Sequence, residues 1–408
     1  MKKIKVDYLL SILYIIAVIT PYTARNNINV ITILALSWIF FVFIKGILRK
    51  NKNKVINKIY FITIIWVFYI FTLKVIGYST AEWGNYLIQG LYWLPIIIFT
   101  YYYRRKDYKH LRVMSLLIII LVIINSIDNI RLNDLYPNII TVITSSQFSQ
   151  YWNLNFANTA FVFVSVIVLL ILILYFFEIK GIFKKMILIL LCLIIFNFIF
   201  ISSRTTAFIM LLITSTCLVL TNVVRKFSQR KRIIIFITSF IILIVFGYIF
   251  INNINYFVSL INNKRIEVRI LAMFGEEGGL SESLLRIDLA KMSIYTWLKN
   301  PINFLIGIGY HQKANPFDVG VGQHSGFIDL LAYYGIFGIS VVIYLYYIFY
   351  KMVLNDISND KIKTYIKIII IMIMVYNIAN NFYTMEIGLA MFILLPSLEI
   401  IFSKKEIK

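Results

Sequence analysis

The chain has 408 residues, 61% of them apolar and only 14% charged, with 40 Lys and Arg against 18 Asp and Glu for a formal net charge of +22. A soluble domain is roughly 45–50% apolar, so a soluble enzyme is excluded. A basic nucleic-acid binder needs a far more charged surface, and a disordered chain would not carry 33 Phe and 28 Tyr. The composition is that of an all-α integral membrane protein.

A crossing helix needs about 20 mostly apolar residues whose backbone polar groups are satisfied internally. Twelve runs qualify: 6–22, 28–48, 59–77, 84–103, 111–130, 154–177, 185–201, 205–224, 233–251, 327–350, 364–382 and 386–402. The first reads as a span rather than a cleaved leader, because no small-residue cleavage site follows it and 23–27 turns tightly into the second. Alternate connections hold 29 of the 40 basic residues, from Lys2, Lys3 and Lys5 through the 45–58, 104–112, 180–185, 225–232 and 351–367 segments to Lys404–Lys408. That asymmetry marks the cytoplasmic side and places both termini there, in a cell membrane. The basic runs are short and clamped between spans, which argues against a nucleic-acid partner. Cys192 and Cys217 lie in apolar runs and have neither disulfide nor metal spacing.

The chain therefore divides into a membrane domain of nine spans over 1–251, a long external loop over 252–326, and three further spans over 327–408. The loop holds 8 of the 17 glycines, and a connection longer than about 12–15 residues is usually functional. Within it, 281–300 reads as an amphipathic helix: Leu285, Leu289, Met292 and Thr296 recur at helical spacing, Ser281 caps the start and Pro301 stops the end. Then come Asn300-Pro301, the Gly307-Ile308-Gly309 triplet with His311 close behind, and Gly320-Val321-Gly322-Gln323-His324-Ser325-Gly326, which enters the tenth span through Asp329, Gly335 and Gly338. Gly307-x-Gly309 is a poor nucleotide fingerprint without a strand-helix unit or a third glycine. The glycines fit tight turns of positive φ.

Arg204 lies just outside a mid-chain span. In order after it come an external loop with its own Arg286-bearing helix, Asn-Pro followed by Gly-Ile-Gly, the His324-Ser325 pair, and Gly335-x-x-Gly338 in the next span. This order resembles the O-antigen ligase and Wzy-type polysaccharide polymerase family, over about 185–340 in motifs and elsewhere in span count. Lys313–Gly320 between the Gly-Ile-Gly and the His, and Tyr334 before Gly335, depart from the family pattern. The resemblance implies a membrane glycosyltransferase that takes a glycan from a polyprenyl diphosphate carrier at the outer face of the membrane and joins it to an acceptor sugar.

Under that resemblance, Arg204, Arg286 and His324 are the expected catalytic residues. A diphosphate leaving group calls for fixed positive charge, which a guanidinium supplies in paired hydrogen bonds at any working pH. Arg204 follows Ser202-Ser203 at the start of a span, where backbone N–H groups also favour an anion; the alternative is an interface arginine that snorkels. Arg286 would be a second clamp, or the ion-pair partner of Glu282 four residues earlier. His324 suits a general base for the acceptor hydroxyl, against the alternative of an ordinary polar loop residue. Arg265, Arg269, His311, Asp329 and Trp152 are expected to bind substrate, although Arg265 and Arg269 also suit a headgroup-facing surface and Trp152 an aromatic belt. Asp329 would orient the imidazole if the helix began at His324. Without an Asp-x-Asp motif or a carboxylate pair, neither a metal-held diphosphate nor glycosidase chemistry is expected, and no cofactor is called for. The expected function is polymerisation of an O-antigen or capsule type of polysaccharide, with lipid-linked repeat units, membrane lipid and other polysaccharide-assembly proteins as partners. Ligase-type transfer to a lipid or protein acceptor, or non-enzymatic flipping of the same lipid-linked sugar, are the alternatives.

Overall fold

The computed structural model describes residues 5–47, 54–75, 89–136, 154–202, 204–224, 238, 279–311, 318–381 and 383–402. The run 233–251 and the loop's entry at 252–278 lie outside the described residues, which are helical with no strand among them. In chain order the helices are α1 (Val6–Ile19), α2 (Pro21–Asn26), α3 (Ile28–Ile47), α4 (Lys54–Val75), α5 (Leu94–Arg104), α6 (Tyr108–Leu135), α7 (Thr159–Glu178), α8 (Ile182–Ile201) and α9 (Thr205–Val224). They continue with α10 (Gly279–Leu298), α11 (Pro301–Ile306), α12 (Gly326–Asp356), α13 (Asp360–Ala379), α14 (Met385–Leu389), a π-helical turn Ala390–Leu394 and α15 (Leu398–Phe402). Every expected run other than 233–251 coincides at least in part with a helix. Among the described residues, five helices are long and apolar enough to cross a membrane: Asn57–Val75 within α4, α6, α7, α8 and α12.

Burial separates the centre of the bundle from its rim. Every residue of α7 from Ala160 to Leu172 is buried, as expected of a helix apolar on all faces and enclosed by others; α6, α8, α9 and α14 pack around it. On α8 only Leu188, Ile195, Phe198 and Ile199 are buried. Ile182 and Phe183 on the same helix are more than 70% exposed, an arrangement suited to hydrocarbon and not to water. A second centre is aromatic: Trp93 meets Tyr346 at 5.7 Å between ring centroids, and Phe392 meets Tyr346 and Phe349 at 5.5 Å each.

Polar contacts gather at two opposite ends. At one, buried Asp7 lies 3.8 Å from Arg105, Tyr103 donates to Asp356 at 2.6 Å, and Lys361 pairs with Glu178 at 2.5 Å. The starts of α1, α6 and α13 and the ends of α5, α7 and α12 thus share the end rich in Lys and Arg. At the other end, the Tyr22 amide donates to Asn155, Asn155 to Asn125, Asn129 to the Asn155 carbonyl, and Asn158 to Glu386, all at 2.8–3.0 Å. These residues lie beneath the α1–α2 corner, where α7 begins.

Several expected spans are interrupted. The run 386–402 contains Pro396, which has no N–H and crowds the preceding turn. The helix widens ahead of it: the Leu395 amide donates five residues back to Ala390 at 2.9 Å. Pro396 has no proton for the Met391 carbonyl, which accepts instead from the Tyr350 hydroxyl at 2.7 Å. Another interruption lies in α12, where Gly335 adopts φ +62° inside the helix. The run 84–103 breaks as well: among its described residues 89–91 are helical, Tyr92 and Trp93 form a turn, and α5 begins at Leu94 with Pro95 in its first turn.

Candidate functional site

The break at Gly335 and the Gly-Ile-Gly triplet form one device. Asn300 caps α11 through its side chain, accepting from the Asn303 amide at 2.8 Å, and Pro301 occupies the first turn. α11 ends after six residues at Gly307, with φ +73°. The next two amides leave the helix and donate to α12: Ile308 to the Ala332 carbonyl at 2.9 Å and Gly309 to the Tyr333 carbonyl at 2.8 Å. Those carbonyls lie just ahead of the break, so the strap satisfies acceptors that a broken helix would leave orphaned. Tyr69 on α4 seals the joint from outside, its hydroxyl 2.9 Å from the Ile306 carbonyl and 3.3 Å from that of Tyr334.

The short first segment of α12, Gly326 to Tyr334, holds two histidine-bearing segments. Asp329 on this segment is 3% exposed, and its carboxylate is fully engaged. One oxygen accepts from Ser293 Oγ on α10 at 2.7 Å, the other from the Ser325 amide at 2.8 Å, and the Gln323 and His324 backbones are also hydrogen-bonded to it. Ser293 in turn accepts from the Gly322 amide at 2.8 Å, and Thr296 donates to the Gly320 carbonyl at 2.5 Å. The 320–325 segment is therefore wound around a buried carboxylate and pinned to α10. Gln323 takes φ +59° within it, and His324 stands exposed at its crest.

One helical turn beyond Asp329, Tyr333 donates to the His311 carbonyl at 3.1 Å, and His311 Nε2 lies 3.0 Å from the Ile308 carbonyl. Donation to that carbonyl requires the Nε2–H form and leaves Nδ1 as an acceptor. The far side of the 320–325 segment is closed by α13: Ser325 caps α12 through the Ile328 amide and donates to the Ile378 carbonyl, while the Gly326 amide donates to the Asn380 carbonyl at 3.1 Å.

The nine residues Gly326 to Tyr334 carry Asp329 and anchor both the segment that bears His324 and the strap that bears His311. α12 begins at Gly326 with Ser325 as its cap, so Asp329 holds the backbone at His324 and is not the first-turn neighbour of an imidazole inside the helix. Arg286 stands on α10 two turns ahead of Ser293. Arg204 is half-buried at the start of α9, where its carbonyl accepts from the Phe208 amide at 3.1 Å. α9 packs against α7 and α13, and α13 in turn meets the start of α12, so one helix intervenes between the Arg204 helix and the His324 segment. Phe200 and Phe208, on either side of the turn that carries Arg204, line an apolar cavity of about 510 Å³ with Phe196 and Ile130. Arg265, Arg269 and Trp152 lie outside the described residues.

Several residues that build this site escaped the sequence reading. Ser293 and Asn377 are small polar residues whose importance comes from a distant partner, Asp329 for the first and Gly326 for the second, where the Asn377 side-chain oxygen fills the space a Cβ would need. The paired Asn125 and Asn129 did carry a signal, since an i, i+4 polar pair in an apolar helix marks one interior face. No group of three or more His, Cys, Asp or Glu among the described residues forms a metal cluster. Compared with known proteins, the chain matches no family model and no curated protein.

Proposed function

We propose that the chain is a membrane glycosyltransferase that polymerises lipid-linked repeat units of a cell-surface polysaccharide, working at the outer face of the cell membrane with both termini in the cytoplasm and about twelve spans. The observation that carries the reading is the rigid segment that presents His324, wound around Asp329 and locked to α10 and α13. A general base needs such placement, because proton transfer requires hydrogen-bond reach of the acceptor hydroxyl in one defined pose. The acceptor hydroxyl oxygen bonds to the anomeric carbon as the bond from that carbon to the diphosphate breaks. The hydroxyl proton passes to His324, and the departing diphosphate keeps the electron pair, with Arg204 and Arg286 taking up its charge. The apolar cavity beside the Arg204 turn suits the polyprenyl tail. His311 and Asp329 complete the sugar side, the latter by holding the loop.

Replacement of Arg204, Arg286 and His324 by Ala, one at a time in a cell that makes the polymer, tests the reading. Long-chain product is expected to disappear while single-repeat glycolipid and protein level persist; full-length polymer in all three variants overturns it. Transfer of finished glycan to a different acceptor, with no size ladder on the carrier, would mark the ligase alternative.

Two of the interrupted helices favour a second reading, a transporter for the same lipid-linked sugar, since broken helices often mark transport sites. The two helices touch, with Tyr350 of α12 bonded to Met391 in the π-helical turn, about 22 Å along α12 from the break at Gly335. Movement of the lipid-linked sugar across vesicles without glycosidic bond formation would establish it.

A further inference from the structure

Away from the histidine segment, a groove of about 1010 Å³ runs between α3, α4 and α5. Its walls are apolar, with Leu36 and Ile39 from α3, Ile64 and Phe68 from α4 and Ile97 from α5. α5 supplies lining residues from Leu94 to Arg104, and its 11 residues make the groove about 16 Å long at 1.5 Å per residue. In a bilayer such a trough on the outer surface of the bundle fills with hydrocarbon, and apolar walls alone do not select among lipids.

The end of the groove does select. Arg104 and Arg105 close it together with Asn57 and Tyr60, at the same end of the bundle as Asp7. Arg105 is committed: its guanidinium stacks on Tyr101 at 3.9 Å and lies 3.8 Å from the Asp7 carboxylate. Arg104 is half-buried, and no acid among the described residues lies within ion-pair distance of it. The groove thus ends in a net positive charge, about one hydrocarbon leaflet away from its other end, where lipid phosphates lie.

We propose that this groove binds one anionic phospholipid, with an acyl chain against α3, α4 and α5 and the headgroup phosphate on Arg104. A guanidinium grips phosphate oxygens in pairs, and a second, nearby positive charge at Arg105 favours a net negative headgroup over a zwitterionic one. The site does not depend on the chemistry proposed for His324, and it lies at the opposite end of the bundle.

The test is native mass spectrometry of the full chain released from detergent micelles containing equal amounts of phosphatidylglycerol and phosphatidylcholine with identical acyl chains. The wild type is expected to retain one phosphatidylglycerol in about fivefold to tenfold preference. Arg104→Gln is expected to bring that ratio close to one. Val67→Phe, which fills the groove from α4, is expected to reduce retention of both lipids. Equal retention by the wild type, or a preference that survives Arg104→Gln, overturns the proposal. A preference that Arg104→Gln removes but Val67→Phe leaves at full occupancy overturns the placement of the acyl chain. Unchanged elution and helical content in both variants confirm that each is compared as a folded protein.

Discussion

Gly307 and Gly335 meet backbone to backbone: a Cβ on Gly307 would strike the peptide between Tyr333 and Tyr334, and one on Gly335 the peptide between Leu305 and Ile306. Each also has positive φ, so each is barred to other residues twice over, by contact and by conformation. With ψ of -168° at Gly307 and -169° at Gly335, this positive-φ conformation alone costs an L residue about 1–3 kcal/mol. Gly335→Ala and Gly307→Ala are each expected to lose more than that, read as a lower midpoint of thermal unfolding in detergent. Gly181 is the control, because it has φ +102° with nothing within 4 Å of an added Cβ. Gly181→Ala should show the conformational cost without the collision, and a drop equal to that of Gly335→Ala would contradict the packing argument.

Asp329 presents a different kind of constraint, since both oxygens accept and neither faces water. Asp329→Asn turns one acceptor into a donor, aimed at the Ser325 amide or at Ser293 Oγ. A buried group left with the wrong partner costs about 1–3 kcal/mol. Ser293→Ala removes one bond to Asp329 and the acceptor of the Gly322 amide and is expected to cost about 1–2 kcal/mol on the same scale. Hydrogen exchange checks both: amides of 320–326 should exchange faster in either variant, with those of α7 unchanged.

Much of the helical layout was legible because membrane helices announce themselves by apolar length. The interruptions were legible only in part. Pro396 stood in plain sight within an apolar run, and its missing N–H was enough to expect the widened turn before it. Gly335 carried no such sign, because Gly is common in membrane helices and this break exists only through Gly307, far away in the chain. The same holds for the site: His324 and His311 were visible as candidates, but the role of Asp329 depends on Ser293 of another helix. Periodicity placed Leu289 on the packed face of α10, where it is 3% exposed, but did not identify the fully buried Ser293 between hydrophobic neighbours.

Asn158 joins two tasks in one side chain. Its oxygen caps α7 by accepting from the Phe161 amide at 2.8 Å, and its nitrogen donates to the buried Glu386 at 2.8 Å. Asn158→Ala loses the cap, about 1 kcal/mol, and leaves the buried Glu386 without this donor, about 1–3 kcal/mol. Asn158→Asp keeps the cap but faces one carboxylate with another. The aspartate variant is therefore expected to recover stability as pH falls into the carboxylate range, where one of the two facing groups takes a proton and bonds the other, whereas the alanine variant stays low throughout. Thermal unfolding at two pH values separates them, and parallel behaviour would show that Glu386 is not the partner that matters.

Arg204 separates a structural role from a chemical one because its charge opposes the dipole of the helix it begins. At the start of α9 its charge meets the positive end of the helix dipole, a penalty of about 0.3–1 kcal/mol. If the arginine serves the fold alone, Arg204→Ala should lower both the unfolding midpoint and the yield of polymer. If it holds the leaving diphosphate, Arg204→Ala should leave the midpoint unchanged or raised while long-chain product disappears. Arg204→Lys sharpens the distinction, since lysine keeps the charge but not the paired hydrogen bonds of the guanidinium fork. Loss of at least tenfold in polymer yield with lysine, about 1.4 kcal/mol of lost stabilisation, would identify recognition of a phosphate by geometry. Full activity with lysine would leave only a point charge, and unfolding of both variants would assign Arg204 to the hairpin between α8 and α9.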